Sequence, residues 1–413
     1  MRHLLDGVSS SARVLPTLDG EALTIVRSAG PYLFGDDERR YVDTALGFGG
    51  IILGHADPAV VDAVTAAVRN GALPAFSHPG EERAAAALAA RLAPLGKTIF
   101  TNSGSEAVHL ACRIARLVTG RARVAKMAAG FDGWLDDIAF GNVTSPEAGF
   151  HDQHRPSNER TTLLRFNDFA DVDRLFAEND DIAAVIYEPM LANAACLAPA
   201  EGYLEHVQAV ARRHGALLIA DEVLMGFRLR AGLTSHLFGL DPDLTTVGKA
   251  VGNGVPVAAV VGKPDVMDAF QAAKGLRGGT YSGNPMACAA VEATLDRLDA
   301  LDYEALCQTG DELRAFIETT FAAEGVAVGT SGYGTVFSLW FAEDVPTEYD
   351  TASRLAAPQS SLRLHLELRR HGLLVMPSAF GRLYLSFAHD AEALGIMRHA
   401  FTQAARSFGE SAG

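Results

Sequence analysis

The alternation of short apolar runs with longer amphipathic segments through the middle of the chain constrains its fold most. The runs at 98–101, 182–188, 216–221, 244–247 and 257–261 have the length and composition of strands. Between them Ala107, Leu110, Ala111, Ile114 and Val118 recur near a 3.6-residue period, which predicts a helix. Leu204, Val207, Gln208 and Ala211 repeat the pattern less cleanly, and Gly215 supplies a stop. Strands that alternate with helices in this way predict an α/β fold, a mostly parallel sheet covered on both faces.

Outside the middle the pattern changes. A helix is predicted over 303–323, strands near 335–341 and 383–387, and a further helix over 361–371, together a smaller α+β layer. A hairpin-like piece at 31–42 turns at Gly35-Asp36-Asp37 and is expected to pack with that layer. The expected division is 1–60 as the N-terminal segment of a small domain, 61–300 as a large domain, and 301–413 as the rest of the small one. Repeats, low-complexity tracts and a long linker are absent.

Charge narrows the partners. Lys and Arg number 35 against 50 Asp and Glu, a formal charge of −15, which repels phosphate backbones and anionic lipid. Nucleic acid and membrane are therefore not expected as partners. The four cysteines, Cys112, Cys196, Cys288 and Cys307, form no C-x-x-C pair, which points to a reduced, cytoplasmic chain and against a zinc site. No run of 18 apolar residues exists, and the N-terminus lacks a signal-peptide core.

Three local features carry chemistry. Residues 101–107, TNSGSEA, follow a strand and open a helix, where free backbone N–H groups suit a phosphate. Ser105 offers a hydroxyl there, although a plain serine cap reads the same way. At 218–223, LIADEV, a strand ends in adjacent carboxylates, Asp221 and Glu222, where ligands of open α/β sheets collect. One of them suits a cationic ring nitrogen or a metal, and a helix cap or surface charge is the plain alternative. At 245–254, TTVGKAVGNG, Lys249 follows an apolar strand and precedes a glycine-rich turn. A partly desolvated lysine there is a nucleophile toward an aldehyde, whereas most lysines are solvated surface charges. The order of residues required by a P-loop is absent.

Taken in order, these segments resemble the class III (ω-amino-acid) aminotransferases of fold type I, which use pyridoxal 5'-phosphate. The resemblance runs from about Gly7 to the C-terminal strands. It is most specific at NSGSEA (102–107), DEVLMGFR (221–228), TTVGKAVGNGVPVAA (245–259) and GTYSGNPMACAA (279–290). YVDTALGFGGIILGHADP (41–58) also matches. The resemblance implies a seven-stranded, mostly parallel sheet and a homodimer with shared active sites. It implies that Lys249 carries the cofactor as a Schiff base and moves the proton, and that Asp221 pairs with the pyridine nitrogen, so that the ring accepts electrons. It places Val223 and Phe131 on the two ring faces, Gly104 and Ser105 at the phosphate, and Glu188 and Asn193 near the ring oxygen. Thr280 would reach the phosphate of the neighbouring subunit. No metal is implied.

Within the family the chain is most similar to the branch of glutamate-1-semialdehyde aminomutase and the β-amino-acid aminotransferases, through GTYSGNP and PSAF (377–380). The stretch GVSSSAR (7–13) resembles one whose arginine grips a substrate carboxylate, which makes Arg13 the first candidate and Arg382 the second. Two departures stand out. Asp132 replaces the histidine of the family's aromatic-His-Gly, and Phe48 stands where the aminomutase branch has tryptophan, with no acid near Gly381. These changes favour ping-pong transamination between an amino donor and a keto acid over internal amine migration. Aminomutase, racemase or epimerase chemistry is the alternative. A nicotinamide dehydrogenase lacks its G-x-G-x-x-G context, and a silent relative conflicts with retention of Lys249 and Asp221.

Overall fold

The computed structural model describes residues 3–150 and 155–410. Three strands open the chain, β1 (Ile25–Ala29), β2 (Tyr32–Gly35) and β3 (Arg40–Asp43). Seven follow: β4 (Lys97–Thr101), β5 (Arg123–Met127), β6 (Thr161–Leu164), β7 (Ile182–Tyr187), β8 (Leu217–Asp221), β9 (Leu244–Gly248) and β10 (Ala258–Gly262). The last four are β11 (Gly329–Tyr333), β12 (Val336–Trp340), β13 (Leu373–Leu374) and β14 (Leu383–Tyr384).

The central sheet has the order β4-β10-β9-β8-β7-β5-β6. β10 runs antiparallel to both neighbours, and the pairs from β9 through β6 are parallel. Side-chain alternation explains why both faces are covered. Ala184, Ile186, Ile219, Ala258 and Val260 face the helix Gly104–Thr119, packing on its Ala107, Ala111 and Ile114. Val185, Tyr187, Leu218 and Ala220 face the other way, onto the helices Phe169–Glu178 and Tyr203–Arg213. Truncating a fully buried member such as Ile219 to alanine costs about 2–5 kcal/mol.

The two chain ends meet in one small sheet. β1, β2 and β3 form an antiparallel meander, and β13 joins β3 in parallel, with Leu373 opposite Val42. β11, β12 and β14 make a second small sheet. The predicted helix over 303–323 is observed as Tyr303–Ala323, and that over 361–371 as Pro358–Arg370. β5 and β6 add to the strands expected from the sequence, because Arg123 and Lys126 interrupt the apolar pattern of β5 and β6 is only Thr-Thr-Leu-Leu.

A topological switch positions the site. From β5 the chain moves outward to β6, then returns on the other side of β5 as β7. The loops after β5 and β7 therefore part, leaving a crevice beyond the carboxyl ends of the strands. Asn253 ties the segment after β3 to this end of the sheet. Its Oδ1 accepts from the N–H groups of Ile52 (2.9 Å) and Leu53 (3.0 Å), and its Nδ2 donates to the Gly54 carbonyl (3.1 Å).

Candidate active site

The crevice holds a cleft lined by Gly104, Ser105, Phe131, Glu188, Asn193, Asp221, Val223 and Lys249, together with Val108, Asp132, Gly133 and Leu224. Strand register brings the two chemical residues together. Asp221 at the end of β8 lies opposite Thr246 of β9, and Lys249 follows three residues on. Lys249 takes a left-handed backbone (φ 48°) that turns the chain out of the strand.

Asp221 and Glu222, adjacent in sequence, divide the work. Asp221 is buried at the cleft, and its Oδ1 accepts from the Val223 N–H and the Thr246 hydroxyl, both at 3.0 Å. Among the described residues no donor reaches its Oδ2. Burial and the neighbouring Asp132 carboxylate push Asp221 up to about 7. Such a carboxylate, with a spare oxygen at a cleft, calls for a cationic donor. Glu222 points into the fold, where its oxygens accept from the N–H groups of Thr234 (3.1 Å) and Ser235 (2.6 Å) and from the Ser235 hydroxyl (2.5 Å). It is a structural cap.

Burial pushes the Lys249 ammonium down to about 8, helped by the Arg382 charge and opposed by Asp221 and Glu188. At pH 7.5 about a quarter of such amines are neutral, against about one in a thousand for an ordinary lysine. Glu188 is held well above the usual carboxylate range by burial, then by Asp132 and Asp221, and its Oε1 accepts from the Phe131 N–H at 2.9 Å.

Ser103, not Ser105, caps the helix. Its hydroxyl accepts from the Glu106 N–H (3.3 Å), and Glu106 Oε2 accepts from the Ser103 N–H (3.0 Å). Gly104 and Ser105 are thus the first two helical residues, and among the described residues their N–H groups have no acceptor. Two glycines keep this end open. A Cβ on Gly104 would stand 2.7 Å from Val223 Cγ1, and one on Gly133, whose φ is already +103°, would stand 2.8 Å from Ser105 Oγ.

The remaining expected residues lie outside the cleft of their own chain. Thr280 and Arg13 are exposed, and Phe48 is half-buried with a left-handed backbone. Arg382 is buried instead. Its Nε donates to the Tyr384 hydroxyl (2.8 Å) and its Nη1 to the carbonyls of Ala192 and Phe380 (both 3.4 Å). Among the described residues it has no carboxylate partner. Sequence reasoning missed Lys126, a fully buried cation 3.1 Å from Asp132. A lysine inside an otherwise apolar run was the available signal.

The free Asp221 oxygen, the unpaired helix N–H groups and the softened lysine fit a pyridoxal phosphate: ring nitrogen, phosphate and aldehyde in turn. Comparison with known proteins agrees. Residues 17–401 match the family described as Aminotransferase class-III. The chain belongs to that family. It is 36% identical over 411 residues to a glutamate-1-semialdehyde 2,1-aminomutase of Anaeromyxobacter sp. (strain Fw109-5), covering 97% of this chain and 95% of the relative. Among solved structures, a β-phenylalanine aminotransferase from Variovorax paradoxus superposes with a TM-score of 0.86 at 28% identity, covering 100% of this chain and 92% of that one. An ω-transaminase from Sphaerobacter thermophilus gives a TM-score of 0.86 at 27% identity, covering 96% and 95%. The fold is therefore fold type I.

Proposed function

We propose that the chain is a pyridoxal-phosphate aminotransferase moving an amino group between a carboxylate-bearing amine, a β- or other amino acid, and a keto acid in two half-reactions. The observation that carries this reading is the Lys249 amine and the Asp221 carboxylate converging on one cleft beside a capped helix N-terminus. When bound, the cofactor supplies an aldehyde for the amine and a ring that takes up electrons.

The chain's own residues do the rest. Lys249 would hold the cofactor, and its amine would carry the substrate's proton. Asp221 Oδ2 accepts the hydrogen bond of the ring nitrogen and keeps it protonated. The N–H groups of Gly104 and Ser105 and the Ser105 hydroxyl bind phosphate. Phe131 and Val223 cover the ring faces, with Glu188 and Asn193 at the ring oxygen. Exposed Thr280 suits a phosphate contact made across a homodimer, to the other copy's site.

Arg382, close enough to Lys249 to lower its basicity and without a carboxylate of its own, is the best-supported anchor for the substrate carboxylate. Arg13, at the exposed N-terminal segment, and Phe48 are the further candidates for the substrate end. Free cysteines suit a cytoplasmic enzyme. The second reading, an aminomutase, is favoured by the 36% identical relative.

Incubation with an amino donor alone separates the two. An aminotransferase loses its visible absorbance and releases a keto acid or aldehyde. An aminomutase releases no such product, yet rearranges glutamate-1-semialdehyde. A colourless protein that gains no absorbance on adding pyridoxal phosphate refutes both.

A further inference from the structure

We propose that the buried ion pair between Lys126 and Asp132 is a positioning device, which holds the 131–133 turn and the Phe131 ring against the cofactor and so sets how tightly the cofactor is gripped. The proposal rests on the reading that the ring lies between Phe131 and Val223.

Lys126 sits in β5 between the buried apolar Ala125 and Met127, and its own side chain is fully inaccessible. A cation there is tolerated only if its donors are used. Lys126 Nζ donates to the Ile138 carbonyl at 2.9 Å and to Asn142 Oδ1 at 2.6 Å, and lies 3.1 Å from Asp132 Oδ2. All three partners belong to the one segment between β5 and β6 that leaves β5 for the cleft, Ile138 within its short helix Asp136–Ala139.

The loop is then closed on itself. Asn142 Nδ2 donates to the Gly133 carbonyl at 2.7 Å, and Gly133 presses on Ser105 at the helix N-terminus. On the other flank the Phe131 N–H donates to Glu188 Oε1. Lys126 is thus the hub that fixes, through one turn, the stacking ring, the phosphate end and the carboxylate at the ring oxygen.

Plain space-filling would need no charge. The fully apolar alternative at such a site is neutral or stabilising, so a buried pair beside a ligand cleft points to a role in placement. Asp132 also faces Asp221 and Glu188 and raises both, while Lys126 stands behind it. The buried Cys112 thiol is close by and is pushed up to about 12 by burial, so it stays neutral.

The test uses the full-length holoenzyme and the variants Asp132→Asn, Lys126→Met, the double variant and Asn142→Ala. For each, borohydride reduction first establishes whether Lys249 carries the cofactor. Pyridoxal phosphate affinity, the visible circular dichroism of the bound cofactor and the melting temperature are then measured. Each single charge variant should weaken affinity by about tenfold to a hundredfold and change the visible dichroism. The double variant should regain melting temperature without regaining either signal. If the single variants do not fold, the double variant and Asn142→Ala carry the test, both with weakened affinity in a folded protein. Variants that melt lower yet bind cofactor with wild-type affinity and dichroism overturn the proposal and leave a structural pair. Wild-type protein that fails to label at Lys249 overturns the reading of the cleft itself.

Discussion

A single methyl group added at Gly104 tests the geometry of the cleft. The new Cβ would stand 2.7 Å from Val223 Cγ1 and 3.1 Å from Cγ2. Relaxed carbon contacts lie at about 3.5–4.0 Å, so one side must move by nearly an ångström. Neither side yields easily. Gly104 opens a helix locked by the Ser103–Glu106 capping box, and β-branched valine is stiff at χ1. Overpacking of this kind costs about 1–3 kcal/mol. Because Gly104 and Val223 both line the cleft proposed to hold the cofactor, the cost should fall on its binding, weakening it by about 5-fold to 150-fold. Titration of the apo-protein with pyridoxal phosphate measures this for Gly104→Ala, Val223→Ala and the pair. Removing both Val223 methyls makes room, so Gly104→Ala should cost little in the Val223→Ala background, a coupling of about 1 kcal/mol or more. Equal costs in the two backgrounds, or wild-type affinity for Gly104→Ala alone, would show that Gly104 and Val223 do not crowd one another at the cleft.

Three further outcomes follow from the same structure. Asn253→Ala leaves the buried N–H groups of Ile52 and Leu53 without their acceptor and should cost about 2–5 kcal/mol in urea unfolding, and a loss below about 0.5 kcal/mol would deny Asn253 its tethering role. Glu222, raised from 4.5 to about 7 by burial, binds its proton more tightly folded than unfolded. Its contribution therefore falls as pH rises through that window, and Glu222→Gln should flatten this part of the pH–stability curve, which an unchanged slope contradicts. Arg382→Gln should raise KM for carboxylate-bearing amines far more than for simple amines, and a uniform fall in kcat for both would remove Arg382 as the anchor.

Local sequence carried the parts of the fold and site that depend on local order. Apolar runs ending in Asp221 and before Lys249 were legible because both residues lie at or just beyond strand ends, where the alternation stops. The antiparallel β10 sat in the same pattern as its parallel neighbours, since burial on both faces gives the same apolar run. β5 was hidden by Lys126, whose partners at 132, 138 and 142 become visible only when the loop folds back. Two serines two apart and two acids side by side read alike in one dimension. The helix start chose Ser103 as the cap, and the pleat sent Asp221 and Glu222 in different directions. Arg382 and Asn253 act across separations of 190 and 201 residues, beyond any periodic pattern.

Lys249 is the proposed carrier of the cofactor. Borohydride reduction of the purified protein, followed by peptide mass mapping, tests it most directly, with the labelling of apo-protein by pyridoxal phosphate followed against pH. One modified peptide is expected, containing Lys249, with a labelling rate that rises with a midpoint near 8, the value to which burial lowers its ammonium. Modification at another lysine, or a midpoint near the ordinary lysine value of about 10.4, would contradict it.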